Sequence, residues 1–93
     1  MTIQSLDDEK FARIKQLSDE IYYSSQACDP EKIYELARLA APYSYMDFDR
    51  VLMRKYFDKY RSFKRHTKRE EAWNGVRDHA HKIAGLASIA RNQ

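Results

Sequence analysis

Residues 73–90, with the sequence WNGVRDHAHKIAGLASIA, decide the fold class of this chain. Apolar side chains recur there every three or four positions, which is the period at which residues share one face of an α-helix. They are Trp73, Val76, Ala80, Ile83, Ala87 and Ala90. Because alanine is small, its repeated use lets a neighbouring helix approach closely. The pattern predicts a helix over residues 68–90 that buries this stripe, including Trp73, in a core.

Cap and proline signals upstream predict two more helices. Ser5 and Asp8 have the spacing of a capping box, and an apolar stripe at helical spacing follows, which predicts a helix over residues 6–27. Asp29-Pro30 predicts the next start, because Asp caps free amides and proline at the first helical position loses no hydrogen bond. Pro42 disfavours helical geometry at the residue before it, so the second helix should span residues 30–41.

A third helix is predicted over residues 45–65, with Ser44 as its cap. Its expected core stripe covers about a third of the helix circumference. The stripe consists of Phe48, Leu52, Tyr56, Tyr60 and Phe63. Thr67 and Glu70 form another capping-box pattern, which predicts that the fourth helix starts directly after Thr67. Because only His66 and Thr67 separate the two predicted helices, one continuous bent helix is an open alternative.

The composition agrees with a helical fold. The 93 residues have the size of one domain, 1–93, and include only two glycines and two prolines. The β-branched residues are also sparse, with two valines, two threonines and six isoleucines. Short connections favour antiparallel neighbours, so we predict an all-α fold, a compact three- or four-helix bundle with short loops. No uncharged stretch exceeds eight residues and no secretory signal is visible, so we expect no membrane association and a cytoplasmic location.

The net charge of +3 hides an uneven distribution along the chain. Residues 1–49 carry five basic and ten acidic side chains, whereas residues 50–93 carry twelve basic and four acidic ones. The two halves could neutralise each other within the fold. They could also support a homo-oligomer in which the acidic half of one copy meets the basic half of another, or they could mark a surface for an anionic partner. The distribution alone leaves these three interpretations open.

A row of arginines on the third helix is the most informative candidate site. Arg50, Arg54, Arg61 and Arg65 fall within about 60° of one another on a helical wheel, opposite the predicted core stripe. We expect Phe57, at the edge of the row, to be an exposed aromatic that a partner can contact. Further basic residues extend the row into the next helix, namely Lys64, Lys68 and Arg69. The alternative without function is that Glu9, Asp19 and Glu20 of the first helix pair with the row.

Two binding functions fit these features. The first is a small regulatory or adaptor protein that binds an acidic surface of another protein through Arg and Tyr side chains, which commonly anchor interfaces. Tyr23, Tyr43 and Tyr45 are then candidate interface residues. The second is a helical domain that binds nucleic acid through phosphates, because guanidinium groups suit phosphate oxygens. The sequence contains no helix-turn-helix pattern, so nothing in it indicates that such a domain would recognise specific bases.

Catalytic and metal-binding patterns are missing from the sequence. His79 and His81 are two residues apart, which places them about 160° apart on a helix, so they cannot share a metal ion. We expect His79 to be partly buried beside one polar partner. The single Cys28 has no second thiol for a disulfide. We therefore expect no enzymatic activity, no cofactor and no metal.

One short string resembles a known motif. The string Ala80-His81-Lys82-Ile83-Ala84-Gly85 is similar to the motif of histidine phosphotransfer domains. The resemblance implies that His81 accepts a phosphoryl group and that Gly85 leaves room for a partner response regulator, with Lys82 nearby. The family more often has lysine at the position of Ala84. It also places a long hairpin after the histidine helix, whereas twelve residues follow His81 here, so a phosphotransfer module is a minor alternative.

Overall fold

Four α-helices and one short 3₁₀ helix make up the fold in the part of the chain that the computed structural model describes, residues 6–24 and 29–92. These described residues contain no β-strand, which confirms the prediction of an all-α helical bundle. In chain order the elements are α1 (Asp8–Tyr22), α2 (Pro30–Ala40), the 3₁₀ helix (Ser44–Met46), α3 (Asp47–Ser62) and α4 (His66–Arg91).

Helix α4 is the longest helix of the bundle and its central element. Its 26 residues span about 39 Å at 1.5 Å per residue, close to the 45 Å length of the molecule. It packs against both α1 and α3, and α2 bridges α1 and α3 from the other side. Trp73 is only 4% exposed, and the stripe that continues through Val76, Ala80, Ile83 and Ala87 is buried as the sequence predicts.

The helix boundaries test the predicted caps. Asp29 accepts a hydrogen bond from the backbone N–H of Glu31 with Pro30 at the first position, as predicted. Helix α1 is instead capped by Asp7, which accepts from the backbone N–H of Lys10 at 2.8 Å. It ends at Tyr22, earlier than predicted. The predicted cap Ser5 and the lone Cys28 lie outside the described residues.

Two predicted caps near the starts of α3 and α4 are wrong, and the open alternative of one continuous helix does not hold. The helices are not continuous, because Phe63 and Arg65 adopt extended backbone conformations with ψ of 139° and 131°. The Thr67–Glu70 capping box does not form, because α4 already begins at His66, whose ring contacts the Glu70 carboxylate at 3.0 Å. Ser44 does not cap α3 but begins the 3₁₀ helix that precedes it.

The buried face of α3 is also not the predicted one. Phe48 is 72% exposed and Phe63 lies at the surface, whereas Asp49, Met53 and Phe57 are buried. At about 100° per residue, the centre of the buried residues lies about 80° from the centre of the predicted stripe, and Tyr56 and Tyr60 of that stripe still pack against the core at its edge. The reason is the buried Asp49, whose carboxylate contacts Nδ1 of His79 on α4.

A polar and aromatic cluster joins α3 to α4. His79 is buried on α4, as predicted, and its Nδ1 lies 2.8 Å from a carboxylate oxygen of Asp49. The ring of Tyr56 stacks on the imidazole at a centroid distance of 5.6 Å. Tyr56 in turn fills the space above Gly75, where an added Cβ would lie 2.5 Å from the ring. Gly75 therefore allows the close approach of the two helices.

Polar contacts also fix α1 against its neighbours. The Ser18 hydroxyl donates to the carbonyl oxygen of Ala80 on α4. Arg13 donates two hydrogen bonds to the Glu35 carboxylate on α2, at 2.6 and 2.7 Å. This guanidinium lowers the pKa of Glu35 below its ordinary value, because the two hydrogen bonds stabilise the charged carboxylate.

Candidate anion-binding surface

The predicted arginine row does not lie opposite the core. Arg50 is half-buried and its guanidinium pairs with Asp47 at 3.2 Å, so its charge is paired within the protein. Arg54 and Arg61 are exposed but lie against Tyr34 of α2: the first stacks over the ring at 4.8 Å, and the second donates to the hydroxyl at 2.9 Å. Arg54 and Arg61 therefore lie on the side of α3 that faces α2, whereas Arg65 lies beyond the end of α3.

Phe57 is not presented to a partner. Its ring is 1% exposed and packs edge-on against Tyr34, so the expectation of an exposed aromatic is wrong. The physical reason is the rotated core face of α3, which points Phe57 inward. Arg61 covers the same ring at 5.7 Å.

The basic residues that follow the row have different surroundings. Lys64, Arg65 and Lys68 are exposed, and neither an ion pair nor a cation–ring contact joins their side chains to another described residue. Arg69 is exposed and lies over the ring of Tyr60 at 4.5 Å. These four cations occupy the turn between α3 and α4 and the first turn of α4.

The structure adds two cations that the sequence analysis did not select. Lys55 and Lys59 are exposed on α3, and Lys59 lies over the Tyr56 ring at 5.4 Å. Their position could have been found from the local charge count, since residues 54–69 carry eight Lys or Arg side chains and one Asp. We call these eight side chains the basic surface. Its members are Arg54, Lys55, Lys59, Arg61, Lys64, Arg65, Lys68 and Arg69.

The basic surface is not neutralised by the acidic half of the chain. Within residues 6–24 and 29–92, none of its eight members forms an ion pair with a carboxylate. The carboxylates of Glu20 and Glu35 pair instead with Lys32 and Arg13. The alternative in which the acids of the first helix pair with the arginine row is therefore wrong.

The end of the molecule that carries these charges is open to solvent. Every residue from 61 to 71 is exposed, so the C-terminal turn of α3 and the start of α4 stand clear of the bundle. Eight like charges this close together repel one another, at a cost that is small per pair in water but grows with their number. Aromatic rings stabilise four of the cations, because a positive charge over a ring face is attracted to it; these are Arg54, Lys59, Arg61 and Arg69.

The three candidate interface tyrosines have different environments. Tyr23 is 76% exposed at the end of α1. Tyr43 is 2% exposed in the core, so its proposed role at an interface is wrong, because the chain between α2 and α3 turns its ring inward. Tyr45 is half-buried, and burial raises the pKa of its hydroxyl.

The three residues to which the phosphotransfer-like string assigns a role, His81, Lys82 and Gly85, are exposed on α4. His81 is exposed and its ring lies 4.5 Å from that of Tyr22. A Cβ added at Gly85 would meet nothing within 4 Å in the described part of the chain. Lys82 pairs with Asp78 at 3.3 Å, as its helical spacing favours. No group of three or more His, Cys, Asp or Glu side chains among the described residues is placed to hold a metal ion.

Comparison with known proteins adds no relative. No protein-family model matches the chain, and no match was found among curated proteins or solved structures. Across the described helices, none has the length and apolar character that crossing a membrane requires.

Proposed function

We propose that this protein is a non-enzymatic, cytoplasmic binding domain that holds nucleic acid through the phosphate groups of its backbone. The observation that carries the proposal is the basic surface, whose eight cations have no carboxylate partner among the described residues. Lys and Arg side chains that neutralise phosphates release condensed counterions, and this release supplies most of the affinity in binding that does not depend on sequence.

The arrangement of the cations supports backbone binding over base reading. Four of them lie in the turn between α3 and α4 and in the first turn of α4. The other four lie on different faces of α3, where Arg54 contacts Tyr34 and Lys59 contacts Tyr56, so the eight do not line one helix face that could enter a groove. Sequence-specific readers place one helix or ribbon in the major groove with three or four side chains on base edges. We therefore expect binding with little sequence preference.

An adaptor that binds an acidic protein is the second candidate. It loses Tyr43 and Phe57 as anchors, because both are buried. It is favoured by two exposed apolar side chains on α3, Phe48 and Val51, which lie about two turns and one turn before Lys55. Aromatic and apolar side chains of this kind anchor protein interfaces.

A charge-reversal experiment tests the proposal. The double variant Lys64→Glu/Lys68→Glu changes two exposed cations that form no ion pair with a described residue, and acidic side chains suit the start of α4, so its melting temperature should not fall below that of the parent protein. The control Lys10→Glu/Lys15→Glu makes the same change in net charge on exposed residues of α1. In fluorescence anisotropy with labelled 20-nucleotide strands and duplexes, the first variant should lose at least about tenfold in affinity and the control should bind like the parent.

Two outcomes would count against nucleic acid as the partner. Equal losses in both variants would mean that only total charge matters, and the basic surface would not be the site. If oligonucleotides fail to bind while a poly-glutamate peptide binds in a Lys64- and Lys68-dependent way, the partner is an acidic protein.

A further inference from the structure

We infer that the nucleic acid held at the basic surface is single-stranded and that Phe63 stacks on one of its bases. This inference rests on the proposed function and deepens it. It follows from the position of Phe63, from the absence of a ring partner for it, and from the charges on both sides of it.

Phe63 occupies the turn that ends α3. It is the residue that closes the helix, its backbone is extended, and its side chain is 36% exposed. The turn belongs to the solvent-exposed stretch 61–71, so a ligand can reach the ring without displacing another element.

Phe63 differs from the other aromatic residues around the basic surface. The rings of Tyr34, Tyr56, Phe57 and Tyr60 each carry a cation over one face and contact another ring. Phe63 has neither a ring–ring nor a cation–ring contact with any described residue. Its partly exposed ring is therefore available for stacking.

The chain places free cations directly beside this ring. Lys64 and Arg65 follow it in the turn and Lys68 lies in the first turn of α4, all three exposed and without a carboxylate partner among the described residues. Sites for single strands combine these two components, cations that follow the phosphates and aromatic rings on which bases stack. In a duplex the faces of the bases are already stacked on one another, so the ring gains nothing there. A phenylalanine ring also lacks hydrogen-bonding groups, so it should not distinguish one base from another.

A leucine substitution separates stacking from hydrophobic packing. Phe63→Leu keeps an apolar side chain in the turn but removes the aromatic face. Phe48→Leu is the matched control, because it removes an even more exposed ring from the other end of α3. The probes are fluorescein-labelled single-stranded dT20 and a 20-base-pair duplex, with binding followed by anisotropy at low salt. Thermal unfolding of each variant checks that the fold is intact.

The inference predicts a specific combination of results. The parent should prefer dT20 to the duplex, Phe63→Leu should lose about tenfold in affinity for dT20 and none for the duplex, and Phe48→Leu should behave like the parent. If Phe63→Leu binds dT20 like the parent, or if the duplex binds as tightly as the single strand, the inference is overturned. The proposed function survives that result as long as Lys64→Glu/Lys68→Glu weakens binding to either probe. If neither probe binds the parent protein, both the inference and the proposed function fail.

Discussion

The two glycines of α4 occupy the interior of the same helix but have opposite surroundings. At Gly75 an added Cβ would lie 2.5–2.8 Å from three ring atoms of Tyr56, and at Gly85 it would meet no described atom within 4 Å. A glycine inside a helix costs about 0.5–1 kcal/mol relative to alanine, because its backbone loses more entropy on folding. Of the two positions, only Gly75 has a packing contact that requires the absence of a side chain.

This contrast gives a prediction at the scale of single residues. Gly85→Ala should raise the free energy of unfolding by about 0.5–1 kcal/mol. Gly75→Ala should lower it by about 1–3 kcal/mol, because the Tyr56 ring must move and its stacking on His79 is disturbed. Urea unfolding of both variants measures the difference. A stabilised Gly75→Ala variant would show that α3 and α4 are not in close contact at this point.

Residue environments were only partly predictable from the sequence. The burial of Trp73 follows from a stripe that contains no polar residue, and the structure confirms it. The burial of Tyr43 could not be predicted in this way, because a tyrosine in a connecting segment can be either exposed or buried. Its environment depends on how the 3₁₀ helix directs the chain back to the core, which no local pattern encodes.

At the scale of elements, α3 shows that one buried polar residue can make the buried face of a helix difficult to recognise from the sequence. The aromatic residues of the helix spread over about half of its circumference, so counting apolar side chains favours the face with Phe48 and Leu52. The true face includes Asp49, which is buried because His79 on α4 contacts it. That pair joins residues 30 positions apart, so the local pattern of α3 could not reveal it. Helix α4 was predictable because its buried stripe is apolar except for His79 at the edge.

The Asp49–His79 pair gives a prediction for the α3–α4 interface. Asp49→Ala leaves a buried imidazole without its hydrogen-bond partner, so the free energy of unfolding should fall by about 1–3 kcal/mol. The control Asp78→Ala removes an exposed aspartate that pairs with Lys82, and exposed pairs contribute at most about 1 kcal/mol. Thermal or urea unfolding compares the two variants. Equal stability of both would mean that the pair does not hold α3 against α4.

At the scale of the whole molecule, the sequence shows the charge asymmetry but not the arrangement of the charged side chains in the fold. The sequence left open whether the acidic half neutralises the basic half or leaves it free. In the fold, carboxylates of the acidic half are partly used in pairs such as Arg13–Glu35 and Lys32–Glu20, while the basic surface projects from one end. A homo-oligomer built on the charge asymmetry stays a prediction.

The most direct test of phosphate binding by the basic surface is the salt dependence of the affinity for single-stranded dT20. The logarithm of the binding constant should fall linearly with the logarithm of the salt concentration, with a slope as steep as about −5.6 if all eight cations contact phosphates. Lys64→Glu/Lys68→Glu should make the slope shallower by about 1.4, since each lost contact removes about 0.7. A slope near zero, or one that the double variant leaves unchanged, would contradict phosphate binding at this surface.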